Sequence, residues 1–280
     1  MILDGLLVAK SIKEDVAKEV ARLRDNDIEV SLHVILIGEN PASKVYVRNK
    51  AKDCEQVGIK SEIHVLSEST TQTELLELIN ILNNDKSVTG ILVQLPLPKH
   101  IDETIIINAI DPNKDVDAFS PYNVGNIMIG NYNFLPCTPA GIMEILDYYG
   151  IDVVGKHCVI IGRSNIVGKP MSMLMLNKSA TVTICHSKTE NLSEMTRQGD
   201  IIVAAIGVAN FIKADMVKKD AVVIDVGINR NDEGKLCGDV DFAEVSKIAS
   251  YITPVPGGVG PMTRAILLKN TVKAVEILKQ

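Results

Sequence analysis

Five short apolar runs in the second half of the chain, KHCVIIG, ATVTICHS, DIIVAAIG, AVVIDVGI and SYITPVPGG, constrain its fold more than any other feature. They recur about twenty residues apart, with helix-length or shorter polar segments between them. Several are too uniformly apolar to be half-exposed, as expected of parallel strands covered on both faces. Strands alternating with helices in this way predict an α/β layer built on a parallel sheet.

The first half has the same rhythm. A helix is expected through AKSIKEDVAKEVARLRD and a strand at SLHVILIG. PASKVYVRNKAKDCEQVG fits a helix with Pro41 in its first turn and Gly58 past its end. SEIHVL reads as a strand, TQTELLELINILNND as a helix, and TGILVQLPLP as a strand ending at prolines. Residues 111 to 138 break the alternation with Asp-Pro, Ser-Pro, Asn-rich turns and PCTP, so the domain junction is placed there. PAGIMEILDYYG restarts as a helix, and PMTRAILLKNTVKAVEILK closes the chain as another, with Ala265, Leu268, Val272 and Val275 at helical spacing.

Composition narrows the function. The 280 residues carry a net charge of −6, which argues against a nucleic-acid binder, since such proteins usually present a basic field. The first residues turn charged too early for a secretion signal, and no apolar run approaches the roughly 18 residues of a membrane span. The expectation is a soluble cytoplasmic protein. Five scattered cysteines, never in a C-x-x-C pair, point to reduced thiols. The five histidines show no ligand spacing, so no structural metal is expected. DPNKDVD resembles the start of a calcium loop, but the turn glycine is replaced by Val116 and the bidentate glutamate by Tyr122. A turn delivering one functional carboxylate, Asp117, is the remaining reading.

CVIIG followed by RSNIVGKP is a strand, a glycine turn and a helix start, the place where a doubly wound sheet holds a dinucleotide. Its Gly162 and Gly168 do not make G-x-G-x-x-G, and an ordinary strand–helix turn remains open. The next strand ends in CHSKT, with Ser187 and Lys188 where NAD-binding folds place a ribose-binding acid. With Arg163 after the first glycine, this suits a 2′-phosphate, and NADP is preferred to NAD; solvated basic side chains are the alternative. PVPGGVGPMT allows either a close backbone approach to a ligand or a tight turn. Gln94 ends an apolar strand, as a cap or as a ligand-facing amide.

Tyr46 and Lys50 lie one helical turn apart, which suits either proton transfer or a surface pair of Lys50 with Asp53. A Tyr-x-x-x-Lys pair also occurs in short-chain dehydrogenases, but there it follows the nucleotide-binding glycines; here it precedes them by more than a hundred residues, and that likeness is rejected.

Taken together, NPASKVYVRNKAK, GILVQLPLP, KDVDAF, PCTPAG, GRSNIVGKPM, CHSKT, DVGINR and ITPVPGGVGPMT resemble the bacterial bifunctional methylenetetrahydrofolate dehydrogenase/methenyltetrahydrofolate cyclohydrolases over essentially the whole chain. The resemblance implies a three-layer α/β folate-binding domain at residues 1–138, joined by the final helix 264–280, a Rossmann-like NADP-binding domain at 139–263, and a cleft between them. It implies Lys50 as catalytic lysine, Tyr46 over the pterin, Gln94 bonded to the lysine and Asp117 on the pterin ring. Val93 and Leu95 also fall on the substrate, and Pro256, Gly257, Gly258, Val259 and Gly260 close over it. Cofactor contacts fall on Gly162, Arg163, Ser164, Ser187 and Ile228. A homodimer is implied as well. The family usually reads KDVDGF; Ala118 is a departure beside Asp117.

The implied chemistry is oxidation of 5,10-methylenetetrahydrofolate by NADP+, then opening of the methenyl ring by water to 10-formyltetrahydrofolate. The first step needs two planar rings aligned, the second a proton-transfer group such as a desolvated lysine. A dehydrogenase of another small substrate and a non-catalytic NADP sensor are the rival classes, and folate-dependent reduction of NADP+ separates them from this reading.

Overall fold

A computed structural model of the chain describes residues 1–231 and 233–279. They divide into two compact units, Ser11–Leu135 with Arg264–Gln280, and Met1–Lys10 with Pro136–Thr263.

The first unit takes most of helix α1 (Gly5–Arg24), then β1 (Ser31–Ile37), α2 (Pro41–Val57), β2 (Lys60–Leu66), α3 (Gln72–Asn84), β3 (Gly90–Val93), α4 (Glu103–Ala109) and α5 (Pro121–Met128). Its sheet is parallel with order β2-β1-β3. β1 lies in the centre and is buried at all seven positions, which is why SLHVILI reads as an almost unbroken apolar run. Ile35, Ile37, Ile91 and Val93 pack on Leu75, Ile79 and Leu82 of α3. The helix begins at a capping box in which Thr71 and Glu74 satisfy each other's backbone N–H. At its other end the buried Lys114 donates to the carbonyls of Leu82, Asn83 and Asp85, placing a cation on the negative end of the helix dipole. Ile91 donates to the Lys114 carbonyl, so the KDVD stretch is held along β3.

Residues 111 to 138, expected as turns at a junction, contain helix α5. Ser120 caps it through the Asn123 N–H, and Pro121 sits in its first turn. Ser-Pro is a helix start as readily as a turn, and only the tertiary context distinguishes the two. The short α4, capped by Asp102, was likewise not anticipated.

The second unit runs α6 (Cys137–Tyr148), β4 (His157–Ile161), α7 (Gly168–Asn177), β5 (Thr181–Cys185), α8 (Leu192–Thr196), β6 (Ile201–Ala204), β7 (Val222–Asp225), the two-residue strands β8 (Asn229–Arg230) and β9 (Leu236–Cys237), α9 (Phe242–Val245), β10 (Tyr251–Ile252) and the first turn of α10 (Val259–Leu278). All five strands of its main sheet are parallel, in order β10-β7-β6-β4-β5. β6 and β7 are wholly buried, whereas the edge strand β5 exposes Thr181 and Ile184. From β4 the chain winds first to β5 on one side and then to β6 on the other. The carboxyl end of β4 is therefore the switch point, where open α/β sheets bind ligands.

Two buried carboxylates shape that carboxyl edge. Asp225, at the end of β7, accepts from the N–H groups of Gly227, Asp239 and Val240. Asp239 accepts from Ile206, Gly207 and Val208 of the loop after β6, and from the Asn229 amide. Among the described residues neither is paired with a basic side chain. Two glycines make room for them. A Cβ on Gly238 would stand 1.8 Å from Asp225 Oδ2, and one on Gly227 would stand 2.3 Å from Asp239 Oδ1.

Burial pushes the Asp225 carboxyl up to about 6, against the downward pull of its three N–H donors. In the unfolded chain an aspartate titrates near ~3.9. The folded protein thus binds this proton more tightly, and the stability it contributes is complete below about pH 4 and lost as the pH rises through about 6. The loss is on the order of 2–3 kcal/mol. Urea unfolding of wild type and Asp225→Asn across that window should show the stability of wild type falling relative to the variant as the pH rises. A difference that does not change with pH overturns the assignment.

Candidate active site

In helix α2 the i, i+4 spacing puts Tyr46 and Lys50 on one face, yet their environments differ. Tyr46 is 42% exposed, while Lys50 is 9% exposed. The Lys50 ammonium donates to Gln94 Oε1 at 3.1 Å, and the Gln94 amide donates to the Leu95 carbonyl at 2.8 Å. The second bond fixes which end of the amide faces the lysine. Gln94 directly follows β3, and its own N–H is bonded to Ile35 of β1, so the sheet holds the amide in place.

Asp53 is not the partner of Lys50. It is 7% exposed and paired with Lys13 of α1, while Arg264 of α10 stands 2.9 Å from its other oxygen, close in charge but outside hydrogen-bond alignment. The surface pair of Lys50 and Asp53 is therefore not formed, and the charge of Asp53 is already neutralised. Its neighbour Cys54 is fully buried, with a thiol pushed up to about 12 by burial, so it is no nucleophile at neutral pH.

Asp117 shares a depression with Val93 and Leu95 of the strand end, so three of the expected substrate-binding residues line one surface. The turn presenting Asp117 is held by Asp115, which is 2% exposed and accepts from the Phe119 and Ser120 N–H groups and the Asn123 amide. Asn270 of α10 ties the same turn through the Val116 carbonyl. Ala118 sits in this turn at φ +59°, fully buried, in the left-handed region that costs a residue with a Cβ about 1–2 kcal/mol. The glycine usual in KDVDGF avoids that penalty.

In the other unit, Ile161 and Cys185 are register partners on β4 and β5. Gly162, Arg163 and Ser164 therefore leave one strand end beside His186, Ser187 and Lys188 leaving the next. The turn after β4 is a cradle in which only glycine fits. Gly162 has φ +130°, and a Cβ on it would stand 2.2 Å from the Ala205 carbonyl oxygen; one on Gly168 would stand 2.2 Å from the Gly162 oxygen. Ser164 accepts from the Val167 and Gly168 N–H groups and so closes the turn that leads into α7, while Arg163, Ser187 and Lys188 stay exposed. No carboxylate follows β5 in CHSKT, so a phosphate beside Arg163 and Ser187 meets no like charge there. The residues present thus fit a dinucleotide bearing a 2′-phosphate. Ile228, 52% exposed, lies in the loop held by Asp225 and Asp239. Of the PGGVG segment, the Gly257 carbonyl accepts from Gly5 and Leu6 at the start of α1, which anchors that loop within the same unit.

Sequence reasoning missed Asp225, Asp239, Lys13 and Arg264. The carboxylate pair had a visible signal, Asp-Val-Gly at 225–227 answered by Gly-Asp-Val at 238–240, whereas the two cations had none.

Comparison with known proteins extends these observations. Residues 3–117 match the model for the tetrahydrofolate dehydrogenase/cyclohydrolase catalytic domain, and residues 136–279 that for the NAD(P)-binding domain of the same family. The bifunctional protein FolD of Campylobacter concisus is 60% identical over 275 residues, 98% of this chain and 97% of its own. That of Acetivibrio thermocellus is 58% identical over 276 residues, 99% of this chain and 97% of its own. Among solved structures, the FolD methylenetetrahydrofolate dehydrogenase/cyclohydrolase of Campylobacter jejuni superposes with a TM-score of 0.98 at 55% identity, covering 99% of both chains. The Trypanosoma brucei enzyme, solved with NADP cofactor and an inhibitor, gives 0.94 at 38% identity over 99% of this chain and 97% of its own. With both family models matched in order and relatives of this identity along its whole length, the chain belongs to the tetrahydrofolate dehydrogenase/cyclohydrolase family.

Proposed function

We propose that this chain oxidises 5,10-methylenetetrahydrofolate with NADP+ to the 5,10-methenyl form and hydrolyses that to 10-formyltetrahydrofolate. The observation that carries the catalytic reading is a lysine 9% exposed, bonded to a fixed amide, whose nearby carboxylate is already neutralised by two other cations. The unit of Ser11–Leu135 with the final helix takes the folate, and that of Pro136–Thr263 takes the cofactor. NADP+, when bound, accepts the hydride lost by the one-carbon bridge. Gly162, Arg163, Ser164, Ser187 and Ile228 hold it, with Arg163 and Ser187 on the 2′-phosphate.

Asp117 accepts hydrogen bonds from the pterin, Val93 and Leu95 flank it, and the Tyr46 ring covers it. The 256–260 segment closes over the substrate. Lys50 holds and moves the proton that the ring opening requires, with Gln94 keeping its Nζ in position. The enzyme works in the cytoplasm as a homodimer; the sequence's five scattered cysteines, never in a C-x-x-C pair, suit a reducing compartment. A coupled assay with 5,10-methylenetetrahydrofolate, following NADPH and methenyl absorbance together, tests the whole scheme, and absence of folate-dependent NADP+ reduction would refute it.

Lys50→Met keeps the aliphatic stem and removes the ammonium. It should slow methenyl hydrolysis by about 100-fold or more, while part of the NADP+ reduction survives, because hydride transfer needs no proton acceptor. Tyr46→Phe should do less harm than Tyr46→Ala. Hydrolysis near the wild-type rate in folded Lys50→Met, corrected for the uncatalysed reaction, returns Lys50 to an ordinary structural role.

Arg163→Ala removes a charge-assisted bond worth roughly 1.5–3 kcal/mol, so NADP+ should bind about tenfold or more weakly. NAD+ binding should hardly change. Equal losses for both cofactors mean that Arg163 shapes the loop instead.

Asp117→Asn should weaken folate binding and slow both reactions, and chelators should leave wild-type activity unchanged. Activity lost in EDTA and restored by a divalent ion would make Asp117 a metal ligand.

A further inference from the structure

Three side chains outside this machinery converge on one face of the smaller sheet. Strand register pairs His33 with Glu62 and Ile35 with His64. Residues two apart on a strand share a face, so His33, Glu62 and His64 all point to the same side. His33 Nδ1 lies 3.0 Å from His64 Nε2, and Glu62 Oε1 lies 3.8 Å from that same nitrogen. One ligand atom from each of the three residues falls within 4.8 Å of the others.

This is the donor set of a borderline divalent ion: two imidazoles and one carboxylate. Two nitrogens each about 2.0–2.1 Å from a tetrahedral ion stand roughly 3.3 Å apart. Widening the His33–His64 contact by a few tenths of an ångström, with a turn of the rings, brings both lone pairs onto one ion. His33 is 8% exposed on the central strand, so its ring is held by the packing around it.

We propose that His33, His64 and Glu62 form a divalent metal site of the zinc class that fastens the edge strand β2 to the central strand β1. It serves the fold and takes no part in the folate chemistry. The absence of a ligand spacing among the histidines hid it, because the ligands come from two strands some thirty residues apart in the chain.

The test uses the full-length protein, stripped with a chelator and titrated with Co2+ and then Zn2+. One Co2+ should bind per chain, with the visible absorption of a tetrahedral site and no thiolate charge-transfer band. Zn2+ should displace it and raise Tm. His64→Ala, and independently Glu62→Gln at its exposed position, should weaken binding by about tenfold or more, the scale on which even lost supporting partners weaken metal sites. Far-ultraviolet circular dichroism reports that each variant is folded. Stripped and metal-loaded wild type should reduce NADP+ at the same rate. Failure of the wild type to bind Co2+, or binding undiminished in a folded variant, overturns the proposal.

Discussion

The carboxyl edge of the larger sheet depends on two buried carboxylates that no cation offsets among the described residues. Asp225 and Asp239 are 3% and 0% exposed, and such groups are tolerated only when every lone pair finds a donor. Here the donors are the Asn229 amide and backbone N–H groups from three segments: the loop after β6, the loop after β7, and the return at 238–240. Each carboxylate thereby consumes N–H groups that a loop could not otherwise satisfy, and each loop supplies what the carboxylate lacks. Shape follows from this mutual requirement. The strand ends around the β4 switch point are held by fixed loops, and the residues expected to meet the cofactor extend from them.

A second arrangement of charge governs helix α2. Asp53 lies three residues from Lys50, and a lone carboxylate there would hold the ammonium as a plain ion pair. Lys13 and Arg264, from the two long helices, take that carboxylate instead. Lys50 is left to a neutral amide, which orients it without cancelling its charge. An amide partner holds the ammonium by a hydrogen bond and leaves it without a tight counter-ion. The same logic accounts for Lys114, which is buried against three carbonyls at the end of α3 and fixes the start of the turn that carries Asp117.

What was legible in the sequence is what local chemistry controls. β1 and β6 appear as apolar runs because both their faces are covered, and α2 appears between Pro41 and Gly58 because those residues start and stop a helix. The dinucleotide-binding turn was legible too, because a glycine between a buried strand and a helix start leaves a local trace. α5 was not: Ser120-Pro121 satisfies the chemistry of a turn and of a helix start equally well. Ala118 could be noticed as unusual, but its left-handed backbone could not be read from six letters.

The sequence alone therefore determined the class of fold and the order of its main strands and longer helices, and by family likeness it named the residues expected at folate and cofactor. Tertiary structure decided which charges meet. Asp53 chose Lys13 and Arg264 over the lysine one turn away, Asp225 found its donors at 239 and 240, and His33 met His64 across a strand pair. Periodicity and capping act over a few residues and leave a local trace. Electrostatic and hydrogen-bond partners are selected by proximity after the chain has folded, and nothing in the spacing of the sequence records that proximity.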